Sequence, residues 1–74
     1  MRYFVIEIQK YADGTAATLV DNFDDINAAW SKFFLVLASA AVSSLPVHSA
    51  VLLNETGFRI ESRSFEHPLP AAEE

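Results

Sequence analysis

The amino-acid sequence predicts an α+β fold in which two β-hairpins flank one long helix, in the order ββαββ. Apolar and polar residues alternate near both ends of the chain, as they do in half-buried strands. Two short segments with a glycine interrupt this alternation. The middle of the chain is rich in alanine and free of glycine and proline. We therefore expect a four-stranded antiparallel sheet with the helix across one face, and the short connections suggest the strand order 2-1-3-4.

The first hairpin is predicted from alternation on either side of an Asp-Gly pair. Its first strand runs from Tyr3 to Tyr11, and Asp13-Gly14 forms the turn because both residues tolerate positive φ. In the first strand, the residues expected to face the core are Phe4, Ile6 and Ile8, and those expected to face outward are Tyr3, Val5, Glu7 and Gln9. In the second strand, Ala17, Leu19 and Phe23 are expected to face the core, and Thr18, Val20 and Asn22 to face outward.

The helix is predicted from about Asp25 to about Ser43. Asp24 and Asp25 supply carboxylate oxygens for the free N–H groups at its start, where negative charge also suits the helix dipole. Pro46 prevents its continuation. At 3.6 residues per turn, the stripe expected to pack on the sheet consists of Ala29, Phe33, Val36, Leu37 and Ala40.

The second hairpin is predicted from Val47 to Arg63. In its first strand, either Val51 with Leu53 or Ala50 with Leu52 could face the core. Phe58 and Ile60 are the expected core residues of its second strand. We expect one domain over residues 1–65 and a flexible tail over residues 66–74, which contain two of the three prolines.

Composition narrows the possible functions. A net charge of −5, with five scattered basic residues, argues against nucleic-acid binding. Cysteine is absent, and His48 and His67 alone cannot provide a zinc site. The apolar segment Lys32–Ala40 is too short to cross a bilayer and lies in mid-chain, so we expect a cytoplasmic protein without membrane contact. We predict no enzyme, no catalytic or metal-binding residues, no cofactor and no small-molecule substrate.

The helix carries more apolar residues than one sheet face can cover. Lys32 is the sole charged residue between Asp25 and Glu55, whereas a surface helix normally has a charged outer face. A contiguous apolar patch rich in aromatic residues is typical of a protein interface. We therefore predict a protein-binding surface that takes either a target protein or a second copy of the chain. Its predicted residues are Ile26, Trp30, Phe34, Leu35, Ala38 and Val42.

Several segments resemble a family of short uncharacterised proteins from gut Firmicutes and their phages, and the similarity covers most of residues 1–65. The segments that carry it are residues 1–10, Ala12–Thr15, Ala28–Ala29, Ser31–Lys32, Ala40–Ser43 and Pro46–Ala50. This family has no assigned activity, so the resemblance implies the fold class and little more.

The middle of the helix departs from that family. Its members typically read Glu-Ser-Lys-Tyr-His-Thr-Val-Leu where this chain has Trp30 to Leu37. Large apolar residues thus replace polar ones at Trp30, Phe34 and Leu35. The hypothesis that follows is an engineered or designed variant whose helix surface was rebuilt to bind a protein. The alternative is a natural phage or bacterial accessory protein whose apolar helix is only core, with a function elsewhere, such as an outer sheet face containing Tyr3, Val5, Thr18 and Val20.

Overall fold

The computed structural model describes residues 1–67 and has the predicted ββαββ architecture. Each of the four strands contains eight residues and the helix contains 16. The elements are β1 (Tyr3–Lys10), β2 (Ala16–Phe23), α1 (Ile26–Ala41), β3 (Val47–Asn54) and β4 (Arg59–Glu66).

All neighbouring strands are antiparallel, and their order across the sheet is β2-β1-β3-β4. The predicted strand order is therefore confirmed. It follows from connection lengths, since each hairpin joins adjacent strands and the helix returns the chain so that β3 pairs with β1. As a result, β1 and β3 lie at the centre of the sheet, and β2 and β4 form its edges.

The core lies between α1 and the two central strands. The four most buried helix residues belong to the predicted stripe, and Leu37, its fifth member, is partly buried against the same core. This stripe is confirmed. The small side chains of Ala29, Ala40 and Ala50 are fully buried, which is consistent with close approach of the helix to the sheet. The buried apolar cluster is Val5, Ala29, Phe33, Val36, Ala50 and Leu52.

The predicted facing of β1 is wrong. Val5 is 1% exposed and belongs to the core, and side chains alternate along a strand, so Tyr3 and Glu7 share its face. Phe4, Ile6 and Ile8 therefore lie on the opposite face of the sheet, away from the helix. Alternation alone could not select the correct face, because both alternating sets of β1 contain apolar side chains. The set that holds Glu7 also holds Tyr3 and Val5. The same core selects Ala50 with Leu52 as the inward residues of β3.

In β2 the predicted facing is correct, although its partners in β1 are not those expected. Phe23 packs against the core opposite Tyr3, and Leu19 lies opposite Glu7. Opposite residues in an antiparallel pair share a face, so Val20 lies beside Ile6 on the face away from the helix.

Both hairpin turns contain a glycine with positive φ, which a residue without Cβ adopts without strain. Gly14 has φ +93° and follows Asp13, whose carboxylate accepts hydrogen bonds from the backbone N–H and the hydroxyl of Thr15. Gly57 has φ +86° in the turn between β3 and β4, where Asn54 Oδ1 accepts from the backbone of Thr56. These side-chain bonds stabilise both turns locally.

The helix begins as predicted, with Asp25 as its N-cap. The Asp25 carboxylate accepts from the backbone N–H groups of Asn27 and Ala28, each at 3.3 Å. The helix ends at Ala41, two residues before the predicted Ser43. At this end, His67 Nε2 donates to the Ala40 carbonyl oxygen at 2.9 Å, which satisfies a carbonyl in the last turn.

The second hairpin departs from prediction in β4. An irregularity between Leu52 and Leu53 shifts the register, so Leu52 pairs with Glu61 and Leu53 pairs with Arg59. Ile60 packs against the core as predicted, but Phe58 precedes the strand and is 66% exposed. The predicted tail also begins too early, because Glu66 pairs with Val47 inside the sheet. The remaining tail residues, 68–74, lie outside the described residues.

Two phenylalanines that follow each other in α1 provide a matched test of this core. Phe33→Ala should lower the free energy of unfolding by about 3–5 kcal/mol because it leaves a cavity in a closely packed site. Phe34→Ala removes the same atoms from a side chain that is 59% exposed and should cost about 1 kcal/mol or less. Urea unfolding followed by circular dichroism measures both, and equal losses would contradict the assigned helix face.

Candidate functional site

The solvent-facing side of α1 is uncharged and largely apolar. Phe34 is 59% exposed, Leu35 is 62% exposed and Val42 is 85% exposed, and Ala38 is also exposed among them. Helical spacing places Leu35, Ala38 and Val42 in one row, with Phe34 beside it. The other exposed positions between Ile26 and Val42 are Asn27, Ala28, Ser31, Ser39 and Ala41, so no charged side chain interrupts this surface. We call Phe34, Leu35, Ala38 and Val42 the outer helix row.

The two remaining predicted site residues lie closer to the core. Trp30 is half-buried and packs against the buried cluster, and Ile26 is half-buried in the first turn of the helix. Trp30 therefore links the core to the outer helix row instead of standing in solvent. The structure brings Trp30 and Phe34 together, and it places Ile26 on the helix side that faces the sheet.

Three aromatic rings form a compact cluster on this flank. The Trp30 and Phe34 rings stack with centroids 5.4 Å apart and an interplanar angle of 22°. The Trp30 and Phe33 rings meet edge to face at 5.5 Å, with an angle of 86°. Such geometries are favourable for aromatic pairs. The exposed Phe34 ring therefore packs against both Trp30 and the buried Phe33.

A groove runs between this aromatic cluster and the edge strand β4. It has a volume of about 270 Å³. Its helix side is apolar, and its strand side contributes Glu61 and Arg63, which carry opposite charges. The lining residues are Trp30, Phe33, Phe34, Leu37, Glu61, Ser62 and Arg63. An apolar floor with two charged groups at one side can hold an apolar side chain of a partner and orient polar groups next to it.

A polar network that sequence reasoning missed joins β1 to β3 beneath the helix. His48 is 5% exposed, and its Nε2 lies 2.5 Å from Glu7 Oε2. Gln9 Nε2 also donates to that oxygen, at 2.9 Å, and the Tyr11 hydroxyl donates to Gln9 Oε1 at 3.0 Å. The sequence indicated this polar network only weakly, because its β1 residues fall on the face predicted to be solvated.

The pKa of Glu7 is lowered from its ordinary value of 4.5. Partial burial is the largest single influence and acts in the opposite direction, but it is outweighed by the hydrogen bonds from His48 and Gln9 together with the charges of His48 and Lys32. An ionised carboxylate only accepts hydrogen bonds, so His48 Nε2 carries the hydrogen. Among residues 1–67, Nδ1 of His48 is buried without a hydrogen-bond partner.

This pair has the form of an imidazole oriented by a carboxylate, an arrangement that also occurs in acid–base catalysis. The His48 ring is almost completely enclosed, so a reactant would have little access to it. Within residues 1–67, no group of three or more His, Cys, Asp or Glu residues is arranged to hold a metal ion. We interpret the network as a structural link between β1 and β3.

The sheet face away from the helix is a second apolar surface. Its centre consists of β1 and β3 side chains, and no helix or strand of residues 1–67 lies over it. Its large apolar residues are half-buried by their neighbours in the sheet, except Val20, which is 54% exposed. They are Phe4, Ile6, Ile8, Val20, Val47, Val51 and Leu53. The sequence analysis did not predict this surface, because the wrong facing of β1 assigned Phe4, Ile6 and Ile8 to the core.

Comparison with known proteins identifies no relatives. No protein-family model, curated protein or solved structure matches this chain. In the part of the chain that the structure describes, no helix is both long and apolar enough to cross a membrane.

The lowered pKa of Glu7 predicts an acid-dependent contribution to stability. A depressed folded-state pKa stabilises the fold above the unfolded-state value, and this contribution is lost as pH falls through the folded-state pKa. Glu7→Gln should therefore be less stable than the wild type at about pH 7, and the difference should shrink toward about pH 3. Urea unfolding across this range measures the difference. Glu61→Gln removes the same charge from exposed β4 and serves as the control.

A Glu7→Gln difference that stays constant from neutral to acidic pH would contradict this interpretation. So would an equal pH-dependent loss in Glu61→Gln.

Proposed function

We propose that this protein is a non-enzymatic protein-binding module that engages a partner protein through the outer side of α1. The single observation that carries the proposal is the exposed outer helix row, in which large apolar side chains face solvent and no charge separates them. The proposed contact residues remain Ile26, Trp30, Phe34, Leu35, Ala38 and Val42. Because their exposure differs, we propose unequal parts for them in such a contact.

The outer helix row supplies most of the free energy of such binding. Burying a large apolar side chain completely is worth about 1.5–3 kcal/mol, and Phe34, Leu35 and Val42 each retain more than half of their exposure. A partner that covers these three side chains therefore gains several kcal/mol of hydrophobic free energy. Ala38 and Ser31 are small and exposed beside them, which allows close approach of a partner's backbone.

Trp30 and Ile26 act mainly by support. Trp30 is half-buried and stacks on Phe34, so the aromatic ring that meets a partner is already ordered. Preorganised aromatic side chains lose little conformational entropy on binding and are frequent anchors of protein interfaces. The adjacent groove along β4 extends the surface and offers Glu61 and Arg63 for polar contacts at its rim.

This surface suits an apolar groove on a foreign protein, into which a helix inserts side chains from successive turns. The proposal includes an engineered origin for the helix surface, because large apolar residues at Trp30, Phe34 and Leu35 stand where the resembling family has polar ones. Self-association through the same helix face is the competing form of binding, and the experiment below separates the two.

Leu35→Glu combined with Val42→Glu tests the proposal without disturbing the core. Both side chains are more than half exposed, so the free energy of unfolding of the double variant should lie within about 1 kcal/mol of the wild-type value. A photo-reactive residue at position 38 should crosslink one discrete partner in cells that express the chain, and the double variant should abolish that product. The same photo-reactive residue at position 13, in the turn between β1 and β2, is the control for non-specific capture.

Equal crosslinking from positions 38 and 13 would contradict a helix-specific partner. A product with the mass of two copies of the chain would show self-association through the helix in place of a foreign partner. Unfolding of the double variant would show that the outer helix row belongs to the core.

A further inference from the structure

We propose that the sheet face away from the helix is a homodimer interface, in which two copies stack their sheets face to face. This inference does not depend on the proposed function of the helix, which lies on the other side of the molecule. The residues of this face follow from the strand registers, because side chains directly opposite each other in antiparallel strands share a face.

The registers arrange this face as four rows that run across the sheet in the order β2, β1, β3, β4. In the two central rows, β1 contributes Ile8 and Ile6. The polar side chains of these two rows belong to the edge strands β2 and β4 or to β3. The rows are Ala16, Lys10, Val47 and Glu66; Thr18, Ile8, Ser49 and Ser64; Val20, Ile6, Val51 and Ser62; and Asn22, Phe4, Leu53 and Arg59.

This arrangement has the composition of an interface. Three of the four central positions are apolar, and the fourth is Ser49; serine, threonine and asparagine side chains also form much of the border. Charged side chains occur on this face only in its two end rows, as Lys10, Glu66 and Arg59, each of which is exposed. An apolar centre with a polar rim is the usual anatomy of protein interfaces.

The two halves of the face differ in height. On the β2–β1 half, Val20, Ile6 and Ile8 carry large side chains. On the β3–β4 half of the same two rows, three serines flank Val51. These residues, Ser49, Val51, Ser62 and Ser64, line a depression of about 230 Å³. A twofold axis parallel to the strands, between β1 and β3, places the large half of each copy over the depression of the other. The two central rows are therefore complementary to the same rows of the second copy.

The charges also fit this twofold arrangement. The chain has a net charge of −5, so two copies associate only if like charges are kept apart at the contact. The axis places Lys10 opposite Val47 of the partner subunit, Arg59 opposite Asn22 of the partner subunit, and Glu66 opposite Ala16 of the partner subunit. No charged residue of the face meets one of the same sign.

The area is sufficient for a dimer. Four strands about 4.8 Å apart, with eight residues each at about 3.4 Å, give a footprint of roughly 500 Å² per copy. Two copies together therefore cover on the order of 1,000 Å², the lower bound for a specific interface. Sheets that pack face to face lie about 10 Å apart, and their strands cross at about 30°.

Analytical ultracentrifugation of the wild type tests the inference directly. At about 100 μM the protein should sediment as a dimer; this high concentration is chosen because interfaces at the small end of the size range associate weakly. Ile6→Glu places a charge at the centre of the face and should sediment as a monomer. Leu35→Glu places the same charge on the outer helix row and should remain a dimer. Circular dichroism of all three confirms folding.

A wild-type monomer at this concentration would overturn the inference. So would a dimer that Leu35→Glu dissociates and Ile6→Glu does not, since that result assigns self-association to the helix. Should Ile6→Glu fail to fold, Val20→Glu replaces it, because Val20 lies on exposed edge strand β2 and is 54% exposed.

The relative orientation of the two copies can be tested separately by crosslinking. The chain has no natural cysteines, so the crosslinker reacts only with the introduced ones. Val20→Cys and Ser62→Cys variants are mixed and treated with a short bismaleimide crosslinker. The proposed axis places position 20 of one copy over position 62 of the other, so the mixed dimer should crosslink at least tenfold faster than either variant alone. Equal rates in the three samples would overturn this orientation.

Discussion

One helix can cover only one face of a four-stranded sheet, and this constraint governs the rest of the structure. The buried face is the one with Val5, Ala50 and Leu52, and the helix fits it through Phe33 and a row of small residues. Everything apolar on the other sheet face, and on the far side of the helix, is left toward solvent. Within residues 1–67, the structure thus leaves two apolar surfaces that the core does not use. Such surfaces in small domains are commonly completed by association.

The two surfaces differ in how they are built. The outer helix row is narrow and convex, and one of its members, Phe34, stacks on Trp30. That form suits insertion into a groove of another protein. The sheet face is broad, and its two central rows have large side chains on the β2–β1 half and mostly serines on the β3–β4 half, an arrangement that suits the proposed second copy. If both proposals hold, a dimer would present two outer helix rows on opposite sides, and binding to a partner with two sites would gain from avidity.

Fold class, strand order, turns and the sheet-facing helix stripe could all be predicted from the sequence because each depends on local signals. Asp25 caps the helix through its own carboxylate, and Gly14 and Gly57 adopt the positive φ that their turns require. The facing of β1 could not be predicted in the same way. Phe4, Ile6 and Ile8 form the more apolar alternating set, yet the helix covers Val5 and a face that also carries Glu7. That choice depends on partners distant in sequence, including the hydrogen bond between Glu7 and His48. The uncovered sheet face was missed for the same reason, since the residues assigned to the core include its centre.

The most direct test of this account compares two aspartate substitutions in β1 that differ in facing. Val5→Asp should abolish folding at low micromolar concentration, because it buries a charge in the core without a partner. Ile8→Asp should leave a folded protein with the wild-type circular dichroism spectrum, since its side chain lies on the uncovered face. A folded Val5→Asp variant together with an unfolded Ile8→Asp variant would contradict the central claim, because the helix would then have to lie on the other side of the sheet.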